Sequence, residues 1–306
     1  MNPNSQAGAP SPPERSGADA TRPDLRGAAV LVTGTGKGIG EAVARRLAEL
    51  VMLVFAGVRK QADAARWLEQ GGDLVHPVLL DVTDESSISA ALQQIRFTLG
   101  ARTLTGLVNN AGIAVAGPLE FLPVAELRRQ LEVNVLGQIA VTQAALPLLR
   151  QSRGRIVNIG SISGRSALPL TGAYAASKFA LEALTDSLRV ELMPAGIHVS
   201  IIEPGVIATP IWDTSMKSAE ELMQQMPQQA LEYYGRVIAA VRRRASGGTT
   251  RGLPPRAVAD AVVHALTART PRTRYLVGRD ARARAWFQRL PDRLRDRIIA
   301  RQLARL

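Results

Sequence analysis

The chain contains no cysteine, which excludes disulfide bonds, catalysis by a thiolate and zinc sites built on sulfur. Its three histidines are His76, His198 and His264. They lie too far apart in the sequence to show the spacing of metal ligands, so we expect no metal site.

Long hydrophobic runs are also missing. The longest run, around residues 51–58, has the length of a strand. A helix that crosses a bilayer needs roughly 18–20 such residues. The first residues lack the charged start and the apolar block of a secretory signal peptide. These absences predict a cytoplasmic protein.

The chain is strongly basic but contains little lysine. Lysine and arginine number 38 against 26 acids, a net charge of +12, and only four of the 38 are lysines. Nucleic-acid-binding proteins usually pair such charge with stacking aromatics or a groove-reading motif. This chain has 4% aromatic residues and no such motif, so we expect no nucleic-acid partner. An anionic substrate, an anionic cofactor and a membrane surface remain alternatives as the partner of this positive charge.

The alternation of apolar and amphipathic segments indicates an α/β fold. Residues 1–26 hold five prolines and almost no large apolar residues, which predicts a disordered tail. Over residues 27–278, apolar strands alternate with amphipathic helices, which predicts one doubly wound, Rossmann-like parallel sheet with helices on both faces. We expect a substrate lid at about residues 210–255 and a basic amphipathic helix over residues 279–306. The predicted strands are Ala29–Thr33, Met52–Gly57, Leu74–Leu80, Leu104–Val108, Arg155–Ile159, His198–Ile202 and Arg274–Val277.

A glycine-rich turn, Thr33–Gly40, follows the first predicted strand and opens the first predicted helix. Glycines at that place let backbone N–H groups and the helix N-terminus approach a phosphate closely. Alone, such a run is weak evidence, because a flexible loop is the alternative, but between a strand and a helix of an α/β chain it predicts a dinucleotide site.

Tyr174 and Lys178 are four residues apart in a predicted helix, so the phenol and the ammonium lie on one face. A neighbouring cation favours the phenolate of a tyrosine, whose ordinary pKa is ~10, and the pair therefore predicts a general acid or base. Ser161 follows the predicted strand Arg155–Ile159 and can hydrogen-bond a substrate carbonyl, with Ser163 as the alternative for that role. Asn134 in an otherwise apolar helix indicates a buried polar partner.

These motifs occur in the order that is typical of the short-chain dehydrogenase/reductase family, over residues 28–209. The set is completed by residues 109–112, Asn-Asn-Ala-Gly, and by Pro204–Thr209. The chain resembles that family, and Leu79–Asp84 and Pro271–Tyr275 are similar to its retinol and 17β-hydroxysteroid dehydrogenase branch. The resemblance implies a nicotinamide-dependent enzyme that acts on CH–OH groups.

The resemblance also implies roles for individual residues. Tyr174 would be the general acid and base, Lys178 would lower its pKa and bind the nicotinamide ribose, and Ser161 would polarise the substrate carbonyl. Asn134 would hold a water that links Lys178 to solvent. The cofactor would contact Tyr174, Lys178 and the following residues: Gly34, Gly36, Lys37, Gly38, Ile39, Gly40, Arg59, Lys60, Asp81, Val82, Asn109, Ala111, Gly112, Pro204, Gly205, Ile207 and Thr209.

The end of the second predicted strand favours NADP(H) over NAD(H). NAD-preferring relatives carry an acid there that binds the adenosine ribose hydroxyls. This chain has Val58, followed by Arg59 and Lys60. A guanidinium suits phosphate oxygens, so Arg59 can hold the 2′-phosphate, with Lys37 approaching from the other side. The alternative is that Arg59 and Lys60 are merely solvated at a strand end.

We therefore expect NADP(H)-dependent hydride transfer to or from the carbonyl or alcohol of a small lipophilic substrate that is retinoid-, steroid- or aliphatic-ketone-like. We also expect a homodimer or homotetramer. Acyl or polyketide ketoreduction is an alternative, and a non-catalytic dinucleotide-binding sensor is an alternative of another class. Such sensors commonly lose the tyrosine or the lysine, and both are present here. The fold does not identify the substrate.

Two features have open consequences. Trp286, Leu290, Leu294 and Ile298 form an apolar stripe on the predicted C-terminal helix, flanked by arginines. This stripe fits either packing within the protein or peripheral contact with an anionic membrane. Val51 stands where relatives usually have a glycine, and we expect strain if this turn is left-handed.

Overall fold

The computed structural model of the protein describes residues 27–224, 226–246 and 252–304, so the predicted tail lies outside the described residues. A seven-stranded parallel sheet has the order β3-β2-β1-β4-β5-β6-β7. The predicted doubly wound fold is confirmed, and each predicted strand is found within two residues of its bounds. The strands are β1 (Ala29–Thr33), β2 (Leu53–Val58), β3 (Val75–Leu79), β4 (Leu104–Asn109), β5 (Arg155–Ile159), β6 (His198–Pro204) and β7 (Arg274–Val277).

Helices connect the strands and cover both faces of the sheet. None of the helices among the described residues has the length and apolar character to span a bilayer. A π-helical segment, Glu132–Leu136, joins the fourth helix to the fifth. The helices are α1 (Gly38–Glu49), α2 (Gln61–Gln70), α3 (Glu85–Leu99), α4 (Val124–Leu131), α5 (Gly137–Ser152), α6 (Gly172–Glu191), α7 (Ile211–Gln224), α8 (Gln228–Ser246), α9 (Pro255–Thr267), α10 (Arg279–Phe287) and α11 (Asp292–Ala304).

Two hydrophobic cores hold the sheet between its helices. On one face, Leu31 and Phe55 pack with apolar residues of α3 and α5. On the other face, Val32 and Val54 pack with residues of α1, α2 and α9, including Trp67. Every residue of β1 and β2 is buried, because a strand covered on both faces has no solvent side. This is why the strands read as unbroken apolar runs in the sequence.

Helices α7 and α8 occupy the segment where a lid was predicted. The segment leaves the sheet after β6 and is closed at its base, where Ile207 pairs with Leu253 in a parallel bridge. Backbone hydrogen bonds from Ala208 N to Leu253 O (2.9 Å) and from Leu253 N to Val206 O (3.0 Å) complete this base. The two helices therefore form an excursion anchored beside the end of β6.

The C-terminal segment is not the single helix that the sequence predicted. Over residues 279–304 the structure has two helices, α10 and α11, with a break at residues 288–291. Pro291 lacks the N–H that a continuous helix would need there, and its carbonyl accepts the first bonds of α11. Trp286 and Leu294, which are 64% and 46% exposed, lie on different helices. The predicted stripe is therefore not one face of one helix.

The turn after α1 has the backbone strain that Val51 led us to expect. Val51 adopts a φ of 62°, in the left-handed region. Its N–H donates to Ala48 O at 2.9 Å, and the next N–H, of Met52, donates to Leu47 O at 3.3 Å. These two bonds form the helix-ending arrangement in which glycine is usual, because a branched side chain crowds the backbone there.

Candidate active site

A cavity of about 580 Å³ opens where the sheet order reverses, at the carboxyl ends of β1, β4, β5 and β6. Doubly wound sheets bind their ligands at this place, and roughly 300–1,000 Å³ is usual for a small-molecule site. Most of the predicted site residues line it: Gly34, Gly36, Lys37, Gly38, Ile39, Arg59, Lys60, Asp81, Val82, Ala111, Gly112, Ser161, Tyr174, Lys178, Pro204, Gly205, Ile207 and Thr209. Gly40, Asn109 and Asn134 do not.

The glycine-rich turn packs against the end of β4. Gly34 has a φ of 69°, and a Cβ on it would lie 2.8 Å from Ala111 Cα. A Cβ on Gly40 would overlap Gly34 O and the side chain of Asn110. Asn110 Nδ2 donates to Thr33 O (2.9 Å) and Gly34 O (3.0 Å), so it holds the turn in place. This role of Asn110 was not identified from the sequence.

Asn109 lies below the cavity instead of in it. Its side chain is buried, and Nδ2 donates to Thr142 Oγ1 at 2.8 Å and to Asn158 Oδ1 at 2.9 Å. The structure therefore does not place Asn109 at the predicted adenosine contact. Successive residues of a strand point to opposite sides, and Asn110 lines the cavity in its stead.

Tyr174 lies in the first turn of α6 and lines the same cavity as Ser161. Burial raises the pKa of the Tyr174 phenol, while the nearby Ser161 hydroxyl and the positive charge of Arg284 act in the opposite direction. Ser163 donates its N–H to Ser161 Oγ at 3.1 Å and does not line the cavity. Of the two serines, Ser161 is the one beside the phenol.

Lys178 is 4% exposed, one helical turn after Tyr174. Its Nζ donates to Ile159 O at 2.7 Å and lies 5.8 Å from the centre of the Tyr174 ring. Burial lowers the pKa of Lys178 to about 8, and the nearby carboxylate of Glu182 opposes that shift. The lysine therefore remains mostly charged at neutral pH, beside the phenol and inside the cavity.

Asn134 is in the π-helical segment, fully buried. Its Oδ1 accepts from Ile113 N at 2.9 Å, and its Nδ2 donates to Ile113 O (3.0 Å) and Ser177 Oγ (3.1 Å). The predicted polar partners are thus Ile113 and Ser177. Ser177 in turn donates to Tyr174 O at 2.7 Å, so Asn134 braces the helix that carries the phenol. Its water-holding role stays a prediction.

The cavity contains an acid that the sequence argument on cofactor choice overlooked. Asp63, in the first turn of α2, lines the cavity together with Arg59 and Lys60. A Cβ on Gly36 would lie 2.7 Å from Asp63 Oδ2, so the carboxyl group rests on the glycine-rich turn. Arg66 lies 4.0 Å from Asp63 and offsets part of its charge. Val58 thus leaves no acid at the end of β2 itself, but the folded site contains one in Asp63.

The cavity can accept a nicotinamide dinucleotide. Glycines leave room for a phosphate at the N-terminus of α1, where the helix dipole favours negative charge. Lys37, Arg59, Lys60, Arg129 and Lys178 supply positive charge along its wall. Among the residues described, no group of three or more histidines and carboxylates could hold a metal ion.

Comparison with known proteins decides the family. A family model described as short chain dehydrogenase matches residues 28–220, most of the chain. The chain belongs to the short-chain dehydrogenase family. It is therefore a nicotinamide-dependent oxidoreductase, and the predicted family and enzyme class are confirmed.

Named relatives extend the likeness beyond the family model. The chain is 35% identical to an NADPH-dependent 3-dehydrocapnine reductase of Ornithobacterium rhinotracheale, over 90% of this chain and 97% of that protein. It is 37% identical to retinol dehydrogenase 5 of Mus musculus, over 88% and 87% of the two chains. A solved short-chain dehydrogenase of Burkholderia cenocepacia in complex with NADP shares the fold with a TM-score of 0.69 and 27% identity, over 92% and 99% of the chains. The predicted likeness to the retinol dehydrogenase branch is thus confirmed.

Proposed function

We propose that the protein uses NADP(H) to interconvert the carbonyl and alcohol forms of a small lipophilic substrate. The observation that carries the proposal is the joint position of Ser161, Tyr174 and Lys178 in the same cavity as the glycine-rich turn. A proton donor and a dinucleotide cradle in one cavity are what carbonyl reduction requires.

The residues of the chain would bind the cofactor along the strand ends. Gly34, Gly36 and Gly38 would face the pyrophosphate, and Asp81, whose Oδ1 accepts from Thr83 N at 3.0 Å, would contact the adenine. Arg59 is exposed at the end of β2 and available to the 2′-phosphate. The NADPH-dependent reductase and the NADP-bound structure among the relatives support this preference.

Bound nicotinamide supplies or accepts the hydride. In reduction, Tyr174 Oη donates a proton to the substrate oxygen; in oxidation it takes that proton back. Ser161 Oγ hydrogen-bonds the same oxygen and orients it. The Lys178 ammonium stabilises the phenolate that remains after proton donation, against the burial that disfavours it.

Part of the cavity wall is apolar, and we assign the substrate to it. Ile113 and Ala114, after β4, line this part together with Val133 of the π-helical segment and Ile211 of α7. These side chains favour a hydrocarbon group over a sugar or a small hydroxy acid. A relative named for retinol supports this choice, and acyl or polyketide ketoreduction remains the alternative.

The proposal is tested by screening NADPH oxidation with retinals, keto-steroids, aliphatic ketones and acyl thioesters. We expect turnover with at least one lipophilic ketone or aldehyde. Tyr174→Phe should keep less than about a tenth of that rate, because the transferable proton is gone, while its dissociation constant for NADPH stays near the wild-type value. Lys178→Ala should impair both. A phenylalanine variant that keeps more than about a tenth of the wild-type rate would refute the assignment.

The cytoplasmic location, the homodimer or homotetramer and the absence of a nucleic-acid partner stay predictions. So does peripheral membrane contact of the C-terminal segment, which would now depend on two short helices. Binding of the full-length protein to anionic liposomes, compared with a chain truncated after residue 290, tests that contact.

A further inference from the structure

Helix α10 lies against two loops of the active site. One is the β5 loop, residues 160–166, which carries Ser161. The other is the β6 loop, residues 205–209, which lines the cavity beside the predicted nicotinamide position. From the sequence alone, α10 was predicted only as part of a basic C-terminal helix.

Asp280, in the first turn of α10, makes a specific contact with the β6 loop. Its Oδ2 accepts a hydrogen bond from Val206 N at 2.7 Å. A Cβ on Gly205 would overlap both carboxyl oxygens, and a Cβ on Gly278 would overlap Oδ1. The two glycines thus leave the space that the Asp280 carboxyl group fills. Only a short side chain with an acceptor oxygen can occupy this space and bind Val206 N.

The other end of α10 is held at the β5 loop. Arg284 Nη2 donates to Ser166 O at 2.6 Å, and Gln288 Nε2 donates to Ser166 Oγ at 2.7 Å. Ser166 is buried and donates its N–H to Ile162 O at 3.1 Å, within the turn that follows Ser161. Polar contacts therefore join α10 to both loops.

Burial does not explain the attachment of α10. Of its nine residues, Ala281 alone is buried, so the helix adds little apolar surface to the core. The polar contacts at Val206 and Ser166 define its position, and both residues belong to loops that contribute other residues to the cavity wall.

We propose that Asp280 is a positioning residue for the cofactor: by binding Val206 N–H it holds the β6 loop where the nicotinamide end of NADP(H) is received. The inference rests on the proposed function. It gives the C-terminal segment a part in the active site, beyond packing or membrane contact.

The test compares the dissociation constants of two ligands for the full-length protein. NADPH reaches the β6 loop, whereas adenosine 2′,5′-bisphosphate lacks the nicotinamide half. Asp280→Ala should weaken NADPH roughly tenfold or more, since a hydrogen bond to a charged group is lost, and leave the bisphosphate within about twofold. Asp280→Asn keeps an acceptor oxygen and should recover most of the NADPH affinity.

The control is Asp292→Ala, which removes an acid from the neighbouring helix, where Asp292 is 82% exposed and pairs with Arg295. It should leave both dissociation constants unchanged. Equal weakening of both ligands by Asp280→Ala, or no weakening of NADPH, overturns the inference. If the wild-type protein itself binds neither NADPH nor NADH, the proposed function fails instead.

A second arm uses Gly205. Gly205→Ala should displace the Asp280 carboxyl group and weaken NADPH to a similar extent. If the two residues act through one contact, the double variant is no weaker than the poorer single variant. Losses that multiply would show that Gly205 and Asp280 affect the cofactor separately and would contradict the proposal.

Discussion

Lys178 donates a hydrogen bond from Nζ to the backbone carbonyl oxygen of Ile159, 2.7 Å away, at the last residue of β5. The strand that presents Ser161 thus also anchors the lysine that faces Tyr174. One strand end positions all three groups, because α6 crosses it with Tyr174 and Lys178 on the same face.

Keeping this ammonium buried destabilises the cofactor-free protein. The pKa of Lys178 falls from 10.5 to about 8, which corresponds to about 3 kcal/mol. Between these pH values the unfolded chain binds more protons than the native one, so stability rises with pH. Below pH 8 the full cost is present. We expect Lys178→Met to unfold at higher denaturant concentration than wild type at neutral pH.

The stability gained by Lys178→Met should depend on pH, whereas a gain from better packing of the methionine would not. The Ile159 carbonyl loses its donor in this variant, which costs ~1 kcal/mol at every pH. The variant should therefore be more stable than wild type by about 2 kcal/mol at neutral pH and less stable by about 1 kcal/mol at pH 10.5. Equilibrium unfolding at both pH values measures it. A pH-independent difference would show that Lys178 is not buried in its charged form.

Cofactor preference should depend on the end of β2. Two charge-assisted contacts of ~1.5–3 kcal/mol each, from Arg59 and Lys37, predict a preference for NADP(H) of roughly a hundred-fold to ten-thousand-fold. Val58→Asp combined with Arg59→Leu should reverse it. Since Val58 is buried, Arg59→Leu alone serves as the gentler variant and should reduce the preference. The measurement is kcat/KM for NADPH and NADH; a wild-type protein that uses NADH equally well contradicts the prediction.

Asp63 should limit that preference. Its carboxyl group lies on the glycine-rich turn in a cavity that also holds Arg59 and Lys60, and it repels an added phosphate. Asp63→Asn should improve kcat/KM for NADPH by roughly two- to five-fold, as expected for a partly screened charge, with a smaller change for NADH. Glu69→Gln, on the exposed side of the same helix, is the matched control. Equal gains from both variants would indicate a general effect of net charge.

Val51→Gly should stabilise the protein. The valine adopts a φ of 62° and is 52% exposed, so the variant relieves strain and loses little burial. The greater conformational freedom of glycine in the unfolded chain offsets part of this effect. We expect the free energy of unfolding to rise by about 1 kcal/mol and Tm by roughly 2–4 °C. Val190→Gly, at an exposed helical position, should destabilise instead. A lower Tm for Val51→Gly would mean that the turn is not strained.

The sequence by itself determined the features whose cause is local. A strand covered on both faces is apolar throughout, and the spacing of Tyr174 and Lys178 is one helical turn, so both can be recognised in a short window. Even Val51 could be identified as a problem, because the conformation of a helix-ending turn depends on a few neighbouring residues. Pro291 is a comparable local indication of a helix break. The apolar residues at every fourth position from Trp286 to Ile298 nevertheless suggested one continuous helix.

Only the tertiary structure decided which groups meet in the cavity. Asn109 and Asn110 are equally polar in the sequence, and the direction of each side chain at the end of β4 sends one into the sheet and the other to the turn. Asp63 reaches Gly36, and Asp280 reaches Val206, across 27 and 74 residues of chain. Such contacts depend on how the helices pack on the sheet. This packing is determined by the summed burial of many side chains and cannot be predicted from any short stretch of sequence.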